Sequence, residues 1–188
     1  MKLITGRLPV PQFSPPLESL KLDQPTITVV GLGYVGLPLA VALADHFQVV
    51  GLDINRERVD ELRRGEDRTR EVDPDRLASS ALVVASDPAE VPPSDVYIVT
   101  VPTPVDSANR PDLGPVMSAT RTIARLLTSD RPAVIVYEST VYPGVTEDIC
   151  GPELERLSGL KRGQHFRLGY SPERINPGDT EHRVDVIT

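Results

Sequence analysis

Short runs of β-branched and other apolar residues alternate along this chain with longer segments rich in Ala, Leu and Arg. The runs predict strands, and the segments between them predict crossover helices. Several runs are nearly continuous Val and Ile, without the apolar/polar alternation of a strand that is exposed on one face. The sequence therefore predicts an α/β fold with a parallel sheet that helices cover on both faces.

Six runs predict strands, at residues 26–31, 48–53, 82–85, 95–101, 133–138 and 167–171. Four segments predict helices, at residues 35–46, 56–64, 113–127 and 144–157. Residues 1–25 contain five prolines and no sustained period, so we expect an irregular N-terminal arm there. The rest, residues 26–188, has the length of a single domain.

Composition excludes some classes of partner. The 188 residues include 20 Lys and Arg against 27 Asp and Glu, a formal charge of −7, which argues against nucleic acid as a partner. The longest apolar stretches fall far short of the ~20 residues that cross a bilayer, so we expect no membrane span. The single cysteine, Cys150, and a start without the apolar core of a secretory signal favour a cytoplasmic protein.

A glycine-rich turn follows the first predicted strand and opens the first predicted helix. Gly31, Gly33 and Gly36 form the pattern G-x-G-x-x-G, which is weak alone but informative in this context. The first glycine permits a tight turn, the second lets a pyrophosphate approach the backbone, and the third permits close packing of helix on strand. The helix N-terminus favours the phosphates. These features predict a Rossmann-like, doubly wound parallel sheet that binds a dinucleotide.

The second predicted strand ends in Asp53, 22 residues after Gly31. A carboxylate at this position accepts hydrogen bonds from the hydroxyls of an adenosine ribose and repels a 2′-phosphate, so it favours NAD over NADP. The nearby Arg56 and Arg58 leave room for NADP. Arg58 itself has two interpretations, a solvated side chain on a charged helix face or a group that lies along the adenine or the ribose.

Three loops at the ends of predicted strands are candidates for chemistry, because ligands bind at this edge of an open α/β sheet. In VPTPVD, Thr103 either contacts the nicotinamide half of a cofactor or is a plain turn residue. In ESTVYPG, Ser139 and Thr140 either face the reaction centre or cap the following helix. In YSPERINPGD, Glu173 and Arg174 either act on water and an anionic substrate or form a surface ion pair.

Four motifs, GLGYVGLPLA, VPTPVD, STVYPG and YSPERINPGD, occur in this order at compatible spacings. From about Thr26 to its end, the chain resembles the UDP-glucose/GDP-mannose dehydrogenase family. Its last motif is most similar to the branch that oxidises UDP-N-acetylglucosamine or UDP-N-acetylgalactosamine. The resemblance implies oxidation of the C6 hydroxyl of a UDP-N-acetylhexosamine or UDP-hexose to a carboxylate, for surface polysaccharide synthesis. This chemistry consumes two NAD and one water, through a thiohemiacetal on a cysteine.

The resemblance also implies roles for the matching residues. Those implied to bind NAD are Gly31, Gly33, Tyr34, Val35, Gly36, Asp53, Arg58, Pro102, Thr103, Ser139 and Thr140. Thr140 and Glu173 are implied to be catalytic. The residues implied to lie beside the UDP-sugar are Glu173, Arg174, Ile175 and Asn176. No metal is implied.

In the family, the nucleophilic cysteine and a catalytic lysine come from a connecting helix and a second domain, which would lie after Thr188. The resemblance therefore implies that the chain alone is inactive and that the full-length protein is a homodimer. Cys150 lies in a predicted helix outside any family nucleophile motif, so we expect a buried structural cysteine. Two other functions stay open, a stand-alone NAD-responsive binding module and the cofactor domain of a hydroxyacid dehydrogenase.

Overall fold

A computed structural model describes residues 24–105, 107 and 110–172. Within this part of the chain, six parallel strands form one sheet in the order β3-β2-β1-β4-β5-β6. The strands are β1 (Thr26–Val30), β2 (Gln48–Leu52), β3 (Val83–Ala85), β4 (Val96–Val99), β5 (Ala133–Tyr137) and β6 (Phe166–Tyr170). All six predicted strands are confirmed, and their ends differ from the predicted ones by no more than two residues.

The described helices are α1 (Gly36–Leu43), α2 (Arg56–Arg63), α3 (Pro74–Ser79), α4 (Gly114–Leu126) and α5 (Gly151–Ser158). A π-helical segment, Val145–Cys150, runs directly into α5, so the helix predicted over residues 144–157 consists of two segments. The short helix α3 was not predicted. Asp73 caps it by accepting a hydrogen bond from the N–H of Asp75, and Pro74 begins it.

Helices cover both faces of the sheet. On one face, α1 and α2 pack through residues such as Leu37 and Val59. On the other face, α4 and α5 pack through residues such as Val116 and Leu154. Every residue of β1 is buried, which explains its unbroken sequence TITVV. The predicted doubly wound, Rossmann-like fold is confirmed.

The strand order reverses at β1, and this reversal positions the functional edge. β1 pairs with β2 on one side and with β4 on the other. In such a sheet a crevice opens at the carboxyl ends of the two strands from which the chain leaves to opposite faces. The loops that follow β1, β2, β4 and β5 all reach this crevice.

Some predictions concern residues that the structure does not describe. These are most of the arm at residues 1–25 and the four substrate residues Glu173, Arg174, Ile175 and Asn176, all of which lie outside the described residues. Among the helices of the described part, none combines the length and the apolar character that a membrane span requires.

Candidate functional site

A cleft of about 460 Å³ opens at the carboxyl edge of the sheet. This volume lies within the usual range for small-molecule sites, roughly 300–1,000 Å³. Most of the predicted cofactor residues line it, namely Gly31, Gly33, Tyr34, Val35, Asp53, Pro102, Thr103, Ser139 and Thr140. The sequence motifs from three separate loops thus meet in one place.

The three glycines of the loop after β1 differ in what surrounds them. Gly31 has φ +99°, a conformation that side chains rarely adopt. A Cβ at Gly36 would collide with the carbonyl oxygen of Gly31 and with the hydroxyl of Thr100. At Gly33, by contrast, a Cβ would have no described atom within 4 Å, and this residue faces the cleft. The loop therefore leaves the space beside Gly33 open for a ligand.

The start of α1 is available to an anion. Val35 occupies the N-cap position, and no side chain of the described residues caps the helix there. A helix start without a side-chain cap has N–H groups that lack partners within the helix, and the helix dipole places partial positive charge at the same point. Phosphate groups fit this environment.

Asp53 supports the glycine loop as well as lining the cleft. One carboxylate oxygen accepts a hydrogen bond from the N–H of Leu32 at 2.8 Å, and the other accepts one from the N–H of Asn55 at 2.9 Å. A carboxylate has about four acceptor positions, so half-buried Asp53 keeps acceptor capacity towards the cleft. The backbone therefore already orients this carboxylate, and binding of a ribose by Asp53 stays a prediction.

Arg58 is buried, so its interpretation as a solvated side chain on a charged helix face is wrong. The side chain is buried behind the glycine loop. Its Nε donates a hydrogen bond to the carbonyl oxygen of Leu32 at 2.9 Å, and its Nη2 lies 2.7 Å from a carboxylate oxygen of Asp67. The described lining of the cleft does not include Arg58. Direct contact between Arg58 and a cofactor stays a prediction.

Hydroxyl groups directly after β4 and after β5 hold the other wall of the cleft. The hydroxyl of Thr100 donates to the carbonyl oxygen of Gly31 at 2.8 Å, which joins β4 to the glycine loop. The hydroxyl of Ser139 donates to the carbonyl oxygen of Val101 at 2.6 Å. In the described structure no side chain caps the π-helical segment at Gly144, so helix capping by the ESTVYPG loop is wrong.

Several lining residues were missed by sequence reasoning. Thr100 and Glu138 line the cleft, but the sequence placed them inside predicted strands. Helix α4 contributes Ser118, Ala119 and Thr122 to the wall. Their spacing of one and then three residues puts them on one face of a helix, a signal that could have identified them. Glycine and hydroxyl motifs in loops were easier to recognise.

A second hollow of about 560 Å³ adjoins the cleft. The two share four lining residues, which are Tyr34, Pro102, Thr103 and Thr140. The hollow extends to the exposed side chains of Val105 and Tyr142. The predicted reactive-end residues Thr103 and Thr140 therefore lie at the junction of the two spaces.

Cys150 lies in the core, away from the cleft lining, as expected for a structural cysteine. Burial raises the pKa of its thiol, and hydrogen bonds with Thr120 and Tyr137 oppose this effect only in part. A raised pKa disfavours the thiolate, which is the nucleophilic form. Among the described residues, no group of three or more His, Cys, Asp or Glu is arranged to hold a metal ion.

Residues 25–186 match a family described as the UDP-glucose/GDP-mannose dehydrogenase family, NAD binding domain. A UDP-N-acetyl-D-glucosamine 6-dehydrogenase of Pseudomonas aeruginosa is 51% identical over 162 residues, covering 86% of this chain and 38% of that protein. Protein CapL of Staphylococcus aureus is 48% identical over 162 residues, with the same two coverages. NAD, predicted from the glycine loop and Asp53, is confirmed as the cofactor.

Solved structures agree with this match. The structure of a UDP-D-ManNAc dehydrogenase from Pyrococcus horikoshii has a TM-score of 0.73 and 35% identity, covering 81% of this chain and 37% of that chain. The chain thus spans less than two fifths of the length of these relatives.

Proposed function

This chain belongs to the UDP-glucose/GDP-mannose dehydrogenase family, as an NAD binding domain, and on that premise we propose that it serves an enzyme that oxidises the C6 hydroxyl of a UDP-N-acetylhexosamine to a carboxylate. The observation that carries the proposal is the junction of the two spaces. The cleft has the groups for a dinucleotide, and the adjoining hollow shares Thr103 and Thr140 with it. A substrate in the hollow would meet the reactive end of the cofactor.

The chain's own residues bind and orient the dinucleotide. The open space beside Gly33 and the uncapped start of α1 suit the pyrophosphate. Asp53 accepts hydrogen bonds from the adenosine ribose, between the apolar side chains of Leu52 and Ile54. Thr103 would hold the nicotinamide end of the cofactor. NAD, when bound, accepts a hydride from the carbon that is oxidised.

The loops after β4 and β5 prepare the reactive end. Pro102 and Pro104 flank Thr103 and restrict its backbone. The hydroxyl of Ser139 fixes the end of β4 through Val101, so neighbouring Thr140 is presented at the mouth of the cleft from a stiff support. Positioning of this kind lowers the barrier by holding reactants in a productive geometry.

The proposed substrate contacts follow β6 in the sequence. That strand leaves the sheet at the same edge, where the N–H of Ser171 donates to the carbonyl oxygen of Tyr137. We propose that Glu173 assists the acid/base and water steps and that residues 174–176 bind the sugar nucleotide. The choice of a UDP-N-acetylhexosamine is supported by the 51% identity to a UDP-N-acetyl-D-glucosamine 6-dehydrogenase.

The nucleophile of the reaction is proposed to lie outside this chain, because its one cysteine, Cys150, is buried away from the cleft. We further propose that the protein in its full-length form is a cytoplasmic homodimer that acts in surface polysaccharide synthesis. The single cysteine supports the reducing compartment.

The test is an assay of NADH formation by the protein in its full-length form. We expect NADH with UDP-N-acetylglucosamine or UDP-N-acetylgalactosamine, and two NADH for each sugar that becomes a uronic acid. Simple 2-hydroxy acids serve as the matched control substrates. NADH from a hydroxy acid, and none from any UDP-sugar, would contradict the proposal.

A further inference from the structure

A buried ion pair lies directly behind the glycine loop, and the NAD-binding roles described above make no use of its acidic member, Asp67. The Arg58 side chain is 6% exposed and that of Asp67 is 3% exposed. Removing charges from water is costly unless each charge is paired and hydrogen-bonded. The pair is therefore expected to stabilise the backbone that it contacts.

The peptide group between Leu32 and Gly33 is the contact between this pair and the loop. Arg58 donates from Nε to the carbonyl oxygen of Leu32 at 2.9 Å. A trans peptide is planar, and its C=O and N–H point in opposite directions. By holding the Leu32 carbonyl, Arg58 therefore fixes the direction of the Gly33 N–H. Gly33 lines the cleft, and Arg58 is not part of its described lining.

Asp67 supplies the rigidity that Arg58 needs for this role. One of its carboxylate oxygens accepts from Arg58 Nη2 at 2.7 Å and from the hydroxyl of Thr69 at 2.6 Å. The other accepts from the N–H groups of Glu71 at 3.0 Å and of Val72 at 3.1 Å. Burial raises the pKa of Asp67, but these hydrogen bonds outweigh burial and hold the pKa below its ordinary value. The carboxylate is therefore charged and fixed on several sides.

We infer that Asp67 is a positioning residue for the pyrophosphate of NAD, acting through Arg58 and the Leu32 carbonyl to aim the Gly33 N–H into the cleft. The inference rests on the NAD-binding role and adds a residue 14 positions beyond Asp53 to it. Asp53 holds the N–H of the same Leu32 at 2.8 Å. The two acidic residues thus act on opposite ends of one residue of the loop, and only Asp53 reaches the cleft.

The test compares ligands with and without a pyrophosphate, bound to the 188-residue chain. The Asp67→Asn change removes the charge of the closer of the two carboxylates paired with Arg58, at 2.7 Å against 3.7 Å for Glu61, and keeps the size of the side chain. We expect the Kd values of NAD and of ADP-ribose to rise about tenfold, the effect of weakening one hydrogen bond to a charged group. The Kd of adenosine, which has the ribose but no phosphate, is expected to stay unchanged.

A double-mutant cycle separates positioning from a general loosening of the loop. Arg58→Lys keeps the charge, but a lysine cannot donate to Leu32 and to Asp67 at the same time. As a single variant it is therefore expected to weaken NAD binding, and in combination with Asp67→Asn it is expected to add little further loss. Asp45→Asn is the matched control, since it breaks an exposed pair with Arg76 on another part of the surface. Circular dichroism verifies that each variant is folded, and Arg58→Lys alone carries the test if Asp67→Asn does not fold.

Three outcomes would overturn the inference: an unchanged Kd of NAD in folded Asp67→Asn, an equal loss of adenosine binding, or additive effects in the double variant. Failure of the unchanged chain to bind NAD would instead refute the NAD-binding role itself. The two failures are therefore distinguishable within one set of titrations.

Discussion

Replacement of Asp53 is the sharpest test of cofactor choice, because this carboxylate has two separable tasks. It accepts the N–H groups of Leu32 and Asn55 at 2.8 and 2.9 Å, and it faces the cleft. Asp53→Ala removes both tasks. Asp53→Asn keeps an oxygen that can accept from Leu32 and removes the charge that repels a 2′-phosphate.

The size of the effect follows from the contacts. A hydrogen bond to a charged group contributes about 1.5–3 kcal/mol, and two ribose hydroxyls lose their acceptor in the alanine variant. Because Asp53 is half-buried and water replaces part of the loss, we expect NAD binding to weaken by about 2–3 kcal/mol, a Kd roughly a hundredfold higher. NADP keeps one of these two hydroxyls and carries a phosphate on the other, so it loses less than NAD and escapes the repulsion, and its Kd is expected to fall in Asp53→Asn.

The assay is calorimetric titration of the chain with NAD and with NADP, at one salt concentration because the repulsion is screened by salt. Asp60→Ala is the control, since its side chain is 60% exposed on α2 and its ion pair with Arg63 is long, at 3.7 Å. The reasoning is refuted if the ratio of the two Kd values is the same in Asp53→Asn as in the unchanged chain.

Two other predictions concern the glycine loop and the surface charges. Gly36→Ala is expected to lower both the thermal stability and NAD binding, because its Cβ collides with Gly31 and Thr100. Gly33→Ala is expected to lower NAD binding and to leave the thermal stability unchanged. Thermal denaturation and NAD titration of both variants check this, and equal melting temperatures for the two would contradict the packing argument. Arg156 and Arg121 lower the pKa of Glu153 to about 2 from its ordinary 4.5. A depressed folded-state pKa adds stability above the unfolded value and loses it on acidification. The stability difference between the unchanged chain and Glu153→Gln is therefore expected to hold above pH 4.5 and to shrink as the pH falls towards 2, as urea denaturation across this range would measure; a difference that grows on acidification would count against it.

The fold could be predicted because burial on both faces leaves a strong mark on a strand. TITVV of β1 has no polar alternation, and every one of its residues is buried. The glycine spacing was informative for a similar reason, since Gly31 and Gly36 each answer a local steric demand. Helix α3 was missed although Asp73 and Pro74 form an ordinary start signal, because six residues are too few for a visible period.

Contacts between residues that are far apart in the sequence produce no such local pattern. Arg58 stands among the charged residues of RERVDELR, and its burial depends on Leu32, 26 residues away, and on Asp67, nine residues away. The sequence predicts Thr100 as part of a strand, but its hydroxyl donates a hydrogen bond to the carbonyl oxygen of Gly31, which is 69 residues away. The sequence predicted which loops form the site, but not which side chains brace them.

The central place of β1 in the sheet also sets an order of events during synthesis. Of the six described strands, β1 leaves the ribosome first. Its pairing of Thr26 with Gln48 can form early, but its pairing of Ile27 with Val96 forms only after β4 has been synthesised. Pairing between such distant segments requires closure of a long loop and slows folding. Until β4 docks, the glycine loop lacks the hydroxyl of Thr100 and the opposite wall of its cleft. A nascent chain that ends before β4 contains only one wall of the nucleotide site, so ligand binding cannot yet stabilise it.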